Sequence, residues 1–272
     1  MAEIDGLWHA TAMGPDYDEL LGPLQRCFGA VVMHDHVSED PAVGRRGGMI
    51  WIGDNSIEIG APVGEHSPVR GFVEKLGGGM HSIAVHVADA DATRERLAGH
   101  GVEPIADVSE DIFFTRPAAT AGLLLEWSAT HTDDDPRWGF PLAERVVPPL
   151  APATQYAFVT AAVADPPAVA ERLAALFGTD VQRLTPGAGP GEIAAIVSLV
   201  DCLLVLQPTT GRTRFHGHGL VVDDLDASVT ALAEAGIGAV GELEDMVLLD
   251  PSALPVPTYL GARLLPEDPR LR

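Results

Sequence analysis

Phe72–Val87, FVEKLGGGMHSIAVHV, decides how this chain is built. It joins a helical start, a run of three glycines and a strand that opens on a histidine. Its second half recurs downstream, where His81–Ala92 (HSIAVHVADADA) aligns with His216–Ala227 (HGHGLVVDDLDA). The offset is about half of the 272 residues. Self-similarity at that distance predicts two copies of one domain.

Working outward, residues 6–13 (GLWHATAM) read as a strand. Residues 16–28 read as a helix with Leu20, Leu21, Leu24 and Phe28 on one face and Gly29 at its end. Strands follow at 30–33, 48–52 and 56–59, which makes a βαβββ unit. The order restarts with a strand at 80–87 and a helix at 91–100 closed by Gly101, a position that favours left-handed backbone. Strands at 105–108, 112–114 and 122–127 complete that unit. Residues 131–152, rich in Pro and Asp and without periodicity, read as the linker between domains 1–130 and 153–272. The second domain repeats the order, with strands at 156–162, 194–200, 203–206 and 218–222 and helices at 167–177 and 226–235. The chain therefore reads as four βαβββ units grouped in two pairs, an α+β arrangement.

Composition narrows the function. Hydrophobic residues make up 46% and charged residues 21%, which is ordinary for a globular protein. The net charge is −22, from 39 acidic against 17 basic side chains. Such a surface repels phosphate backbones, so nucleic acid is an unfavourable partner. Cys27 and Cys202 are the only cysteines, each in an apolar run, and predict small buried side chains rather than a disulfide or a metal motif. The opening MAEIDGLWHA lacks a basic segment followed by an apolar core, and no apolar run reaches the length of a membrane span. A soluble, cytoplasmic protein is the expectation, as monomer or homodimer, with a small-molecule substrate or ligand.

Four pieces in order carry a family resemblance. They are His9 in GLWHATAM, IEIGAP at 57–62, SPVRGFVEKLGGGMHSIAVHV at 67–87 and FTRPAATAGLLLEW at 114–127. Together they resemble the vicinal oxygen chelate superfamily (glyoxalases, bleomycin resistance proteins, extradiol dioxygenases). Residues 6–128 are most similar to its methylmalonyl-CoA epimerase family. The resemblance implies paired βαβββ units in a cupped mixed sheet around a small-molecule site, often with a divalent metal. By residue it implies His9, Glu58 and Glu126 as metal ligands; Glu126 or Glu58 is the candidate catalytic base for the case in which the metal is weak or missing. Independently of the resemblance, a carboxylate inside an apolar strand is costly unless something cationic pairs with it, and both glutamates interrupt apolar runs. One histidine with two carboxylates suits Co, Mn, Ni, Zn or Mg.

The chain departs from the family at the remaining ligand. The family has two histidines in succession where this chain has His81-Ser82, so the ligand position holds Ser82. His81 faces the other way in a regular strand and could substitute only if a bulge turned it inward. His86 shares the parity of Ser82 but lies about 13 Å along. The site is expected to bind metal weakly, to complete itself with water, or to be empty. An extradiol iron site needs two histidines and fits poorly. An epimerase or isomerase asks a metal only to hold a carbonyl while a carboxylate removes the neighbouring proton.

Trp8, Trp51, Phe114 and Trp127 are the candidate pocket aromatics. His34 and His36 read as a solvated loop, and Gly77–Gly79 as backbone requirements. In the second domain the ligand positions hold Phe158, Val205, Gly217 and Tyr259, which predicts a degenerate copy; His216 and His218 remain there. Arg45, Arg46, Arg70 and Lys75 are candidates for a basic patch. Three readings follow: an epimerase or isomerase, a metal-free binding or resistance protein, and a metal-free lyase or cyclase using the same carboxylates.

Overall fold

The computed structural model describes residues 3–38, 44–130, 134–145 and 147–272. The first half runs β1 (Gly6–Met13), α1 (Tyr17–Phe28), β2 (Val31–Val37), β3 (Arg45–Ile52), β4 (Asn55–Pro62), α2 (Arg70–Leu76), β5 (Gly79–His86), α3 (Ala90–Gly99), β6 (Pro104–Asp107), β7 (Ile112–Thr115) and β8 (Leu125–Ser128). The second runs β9 (Ala153–Val163), α4 (Pro166–Phe177), β10 (Val181–Leu184), β11 (Ala195–Ser198), β12 (Leu203–Pro208), β13 (Arg214–Val222), α5 (Leu225–Glu234), β14 (Ala239–Leu243), β15 (Met246–Leu249) and β16 (Thr258–Gly261). Each half forms an eight-stranded mixed sheet, ordered β2-β3-β4-β1-β5-β8-β7-β6 and β10-β11-β12-β9-β13-β16-β15-β14. The two orders are identical once eight is added to each strand number, so the repeat predicted from sequence is complete in three dimensions.

Local chemistry sets the helix ends. Asp16 caps α1 by accepting from the backbone N–H groups of Asp18 and Glu19 at 2.8 and 3.0 Å. Gly29 closes it in left-handed backbone at φ 76°. Tyr17, Leu20, Leu24, Cys27 and Phe28 are its buried face; each large apolar side chain contributes about 1.5–3 kcal/mol of burial. The sheet faces turned away from the site, with Ile57, Ile83, Leu125, Val159 and Leu204, join the helices in one apolar core running through both halves. Trp127 and Phe177 meet there with ring centroids 5.8 Å apart.

Two clasps related by the internal repeat tie the halves. Asp201, in the β11–β12 turn, accepts from the Leu7 N–H of β1 at 2.8 Å. Asp54, in the β3–β4 turn, accepts from the Tyr156 N–H of β9 at 2.7 Å. Arg137 donates to the Leu7 and Trp8 carbonyls at 2.8 and 2.7 Å while pairing with buried Asp135. Arg270 repeats this on the Tyr156 carbonyl at 2.9 Å, pairing with Asp268 and Asp54. Arg137 lies inside the predicted linker, which is therefore part of the packed structure at this point; residues 131–133 and 146 of that segment lie outside the described residues. Both free cysteines are buried. Among the described residues no helix is long and apolar enough to cross a membrane.

Candidate active site

Strand register gathers the predicted ligands on one face. Thr11 lies opposite Glu58 on β4 and Ser82 on β5. His9 lies opposite Ser56 and Ala84, and Ala84 lies opposite Glu126 on β8. Trp51 extends that row beyond Ser56, and Phe114 extends it beyond Glu126. Because residues two apart in a strand share a face, these side chains all rise from the same surface.

The geometry is that of a convergent donor set. His9 Nε2 is 3.7 Å from Glu58 Oε2 and 3.9 Å from Glu126 Oε2. One donor atom from each of the three lies within 4.8 Å of the others. His9 is 2% exposed and Glu126 7%. Neither ring nitrogen of His9 has a hydrogen-bond partner. A buried imidazole without partners is costly, and 3.7–3.9 Å is too long for a hydrogen bond. Donors sharing one ion at about 2.0–2.2 Å sit roughly 3 to 3.5 Å apart, so a small inward movement would satisfy all three. The residues fit a divalent cation.

Electrostatics agrees with that fit. Burial pushes the His9 pKa down to about 4, against the raising effect of Glu58, so the ring is neutral as a metal ligand must be. Burial, then the charge of Glu58, pushes Glu126 up to about 8. The Arg45 guanidinium forms an ion pair with Glu58 Oε1. Thr11 donates to Glu58 Oε2 at 3.4 Å. Sequence reading put Arg45 in a basic patch and missed Thr11; the i, i+2 spacing from His9 to Thr11 was the available signal for the latter.

Position 82 follows the expected parity, and Ser82 is buried on the donor face. His81 departs from it. The β1–β5 register jumps from Thr11↔Ser82 to Ala12↔Met80, so His81 is the extra residue of a bulge. Its Nδ1 lies 3.2 Å from the Ser82 hydroxyl, and its ring meets Phe72 edge-on with centroids 4.8 Å apart. Glu58 and Arg45 both act on it electrostatically, and burial lowers its pKa to about 4. The bulge thus turns His81 toward the site, yet it is not one of the three converging donors.

The aromatics divide. Trp8 is also a bulge residue, between the Leu7↔Val85 and His9↔Ala84 pairs, and its ring lies 4.7 Å from that of His9. Trp51 and Phe114 rise from the donor face. Trp127 does not: it is fully buried in the core, stacked on Phe113, with its indole N–H donating to Thr115 at 3.1 Å. It neighbours Glu126 in sequence, so the pleat sends it to the opposite face. His34 and His36 lie on β2 rather than in a loop, and His34 Nδ1 is 2.7 Å from Asp134. His86 pairs with Asp5 at 3.1 Å. The four candidate basic residues do not gather on one anion: Arg45 holds Glu58, Arg46 holds Asp18 and Asp35, and Arg70 bonds Glu74 and the Gly64 carbonyl.

The second sheet repeats the frame with different chemistry. Phe158 lies opposite Leu203 and Gly219, Thr160 opposite Val205 and Gly217, and Tyr259 opposite Gly219. Phe158, Val205 and Tyr259 thus stand where His9, Glu58 and Glu126 stand, and they belong to one apolar cluster with Leu203 and Met246. His216 is the bulge residue there, as His81 is in the first sheet. His218 is buried in the direction of Thr258, 3.0 Å away.

No family model matches the chain. An ethylmalonyl-CoA/methylmalonyl-CoA epimerase of Cereibacter sphaeroides is 30% identical over 131 residues, which are 45% of this chain and 96% of that protein. A methylmalonyl-CoA epimerase structure from Mycobacterium tuberculosis is 25% identical, covers 47% of this chain and 89% of that one, and has a TM-score of 0.43. A mutant of 4-hydroxymandelate synthase from Streptomyces coelicolor is 14% identical with a TM-score of 0.64 and covers 97% of this chain and 95% of that one, so the two-sheet fold extends over the whole length. The strand order repeated in both sheets, the convergent face of the first sheet and the epimerase relative together place the chain in the vicinal oxygen chelate superfamily, with a first half that resembles methylmalonyl-CoA epimerase.

Proposed function

We propose that the protein is an isomerase of the epimerase type, which removes a proton next to the carbonyl of an acyl thioester or a related small molecule. The observation that carries this is the buried His9 imidazole, without a hydrogen-bond partner, between two carboxylates. His9, Glu58 and Glu126 would hold a divalent ion, and Co, Mn, Ni, Zn or Mg suits that donor set. When bound, such an ion polarises a carbonyl and stabilises the negative charge of an enolate.

The protein's own groups account for the proton movements. In this reading Glu58, ion-paired to Arg45, accepts the proton as the C–H bond breaks and its electron pair moves onto the carbonyl oxygen; the ion pair that keeps Glu58 charged supports it. Without an ion, Glu126, pushed up to about 8, carries a proton near neutral pH and would return one to the carbon; with an ion bound it would serve as a deprotonated ligand instead.

The test is the metal content of purified protein after incubation with Co²⁺ and desalting, beside Glu126→Ala, followed by deuterium exchange at the α-carbon of acyl thioesters. One ion per chain, lost in the variant, and exchange in the parent are the expected results. Absence of both removes this reading. One observation favours a second one: Arg45 already supplies a cation to Glu58. In that reading the same carboxylates work without metal, and α-proton exchange persists in protein stripped with a chelator.

A further inference from the structure

A groove of about 280 Å³ lies between the two domains, lined by Phe72, Lys75, Met80 and His81 on one side and by Arg212 and Arg214 on the other. His81 ties it to the candidate site, because its Nδ1 lies 3.2 Å from the hydroxyl of Ser82, which stands opposite Thr11 on the donor face. The three converging donors are not part of this lining. The two walls are in fixed contact: a Cβ on Gly122 would come within 2.9 Å of Thr213, and Gly122 sits at φ 90°.

The cations are what set this groove apart. The molecule carries a net charge of −22 and only 17 basic side chains. Arg45, Arg46, Arg94, Arg137 and Arg183, for example, are each paired with a carboxylate. Lys75 (the chain's single lysine), Arg212 and Arg214, like Arg26, Arg116 and Arg145, have no carboxylate ion pair among the described residues, and it is the gathering of three such exposed cations at one groove that distinguishes it. In an acidic protein, exposed unpaired cations collected around an apolar cleft are an anion site with a hydrophobic approach. Phe72, Leu76, Leu123 and Phe215 supply the apolar wall.

We infer that the groove between the domains seats the phosphate-bearing arm of the substrate, held by Lys75, Arg212 and Arg214, while the acyl end reaches the carboxylates past His81. This rests on the reading under Proposed function and adds to it a role for the second domain, whose own cup is filled. Guanidinium groups match phosphate oxygens in a planar, bidentate way that a water-exposed carboxylate site would not reproduce.

The experiment compares the parent with Arg212→Ala/Arg214→Ala and Arg212→Lys/Arg214→Lys. Exchange is followed on a branched acyl thioester of coenzyme A and on the same acyl group as its N-acetylcysteamine thioester, which has no phosphate. The inference expects KM for the phosphate-bearing thioester to rise roughly tenfold or more in the alanine protein, with kcat held. It expects the lysine protein to recover part of that loss, and the penalty to vanish for the phosphate-free thioester. Equal KM in parent and alanine protein, or equal penalties on both thioesters, overturns it and leaves the proposed activity standing. If the parent exchanges neither thioester the proposed activity falls. Calorimetry with pyrophosphate then decides the groove alone: binding lost in the alanine protein upholds the anion site, and no binding to the parent overturns it.

Discussion

Replacing Asp201 by Asn should stabilise the protein at neutral pH and leave it unchanged in acid. Asp201 accepts from the Leu7 N–H at 2.8 Å, two residues before His9 on the same strand. Burial pushes its pKa from an ordinary 3.8 up to about 6; the Leu7 N–H, Arg137 and Arg270 oppose that without cancelling it. Cys202 feels the same charge, and its thiol is pushed up by burial first and by Asp201 second. A raised carboxyl pKa means that the folded state prefers the protonated form. The favourable contribution is therefore complete below about pH 4 and is lost as pH rises through about 6. The full shift is worth about 3 kcal/mol, and partial exposure of the side chain reduces it to about 2. An asparagine keeps the Oδ1 acceptor for Leu7 and carries no charge at any pH. Urea unfolding of both proteins at intervals from pH 4 to 8 reads the difference directly. The curves should coincide at pH 4 and separate by about 2 kcal/mol above pH 6, with the variant more stable. The repeat supplies a control in Asp54, which makes the equivalent bond to Tyr156 but pairs with Arg270 at 2.8 Å and is 40% exposed. Asp54→Asn should cost at most about 1 kcal/mol with little pH dependence over that range. A difference that does not change with pH, or an Asp201→Asn protein that is less stable at pH 7, would refute the reasoning. The charge on Asp201 would then be serving Arg137 and Arg270 rather than opposing the fold.

The other predictions concern the donor face and the clasps. Ser82→His adds a fourth donor, a second imidazole, beside the other three; a ligand worth about 3 kcal/mol, less about 1–2 kcal/mol for crowding, should tighten Co²⁺ roughly tenfold, and titration that shows equal or weaker binding counts against the donor face as described. Trp127→Ala should cost about 3–5 kcal/mol in unfolding free energy, as removal of a large core side chain does. Trp51→Ala, on the open face, should cost under about 1 kcal/mol. Melting temperatures that rank the two the other way would reverse the face assignment. Arg137→Ala leaves Asp135, 1% exposed, without its ion-pair partner, and should destabilise by about 3–5 kcal/mol. Arg270→Ala should do the same through Asp268, and a large cost in only one of them would show that the clasps are not equivalent.

Much of the site was legible because strands alternate. Glu58 between Ile57 and Ile59, and Glu126 between Leu125 and Trp127, each break an apolar run, and both prove to face His9. The same alternation should have removed Trp127 from the pocket, since a neighbour of Glu126 points to the other side. What alternation cannot supply is a bulge. Parity sends Trp8 and His81 away from His9, but an extra residue at each position swings them back. Nothing in WHA or MHS announces this, because a bulge is set by how two strands pair and not by either strand alone. The β2 strand was cut short for a related reason: His34, Asp35 and His36 are polar enough for a loop, yet β3 supplies their hydrogen bonds and Asp134 a partner for His34. One signal was present and unused. Asp135-Pro-Arg137 recurs as Asp268-Pro-Arg270, and in each the arginine folds back onto the first strand of its own domain. A repeated motif inside a supposed linker is evidence that the linker belongs to the repeat.

The comparison of the two sheets shows how little separates a site from a core. Both keep a threonine, Thr11 or Thr160, in the row that holds the second ligand position, and both keep a bulged histidine opposite it. The changes from His9 to Phe158, Glu58 to Val205 and Glu126 to Tyr259 are enough to turn the donor face into an apolar cluster. Once filled, the second cup needs no ligand to satisfy its buried groups, so it can serve as a rigid partner. The two halves touch through Asp201 and Leu7, through strands β5 and β13, and where Gly122 lies against Thr213. A single-domain protein would have to obtain such support from a second copy of itself. Here it is covalently attached, and its outer rim is free to carry Arg212 and Arg214 without any need for symmetry. Absence of a second set of ligands is thus compatible with a use for the second domain: it holds β1 through Asp201, and in the inference drawn above it would seat part of the substrate, and neither task needs a metal of its own.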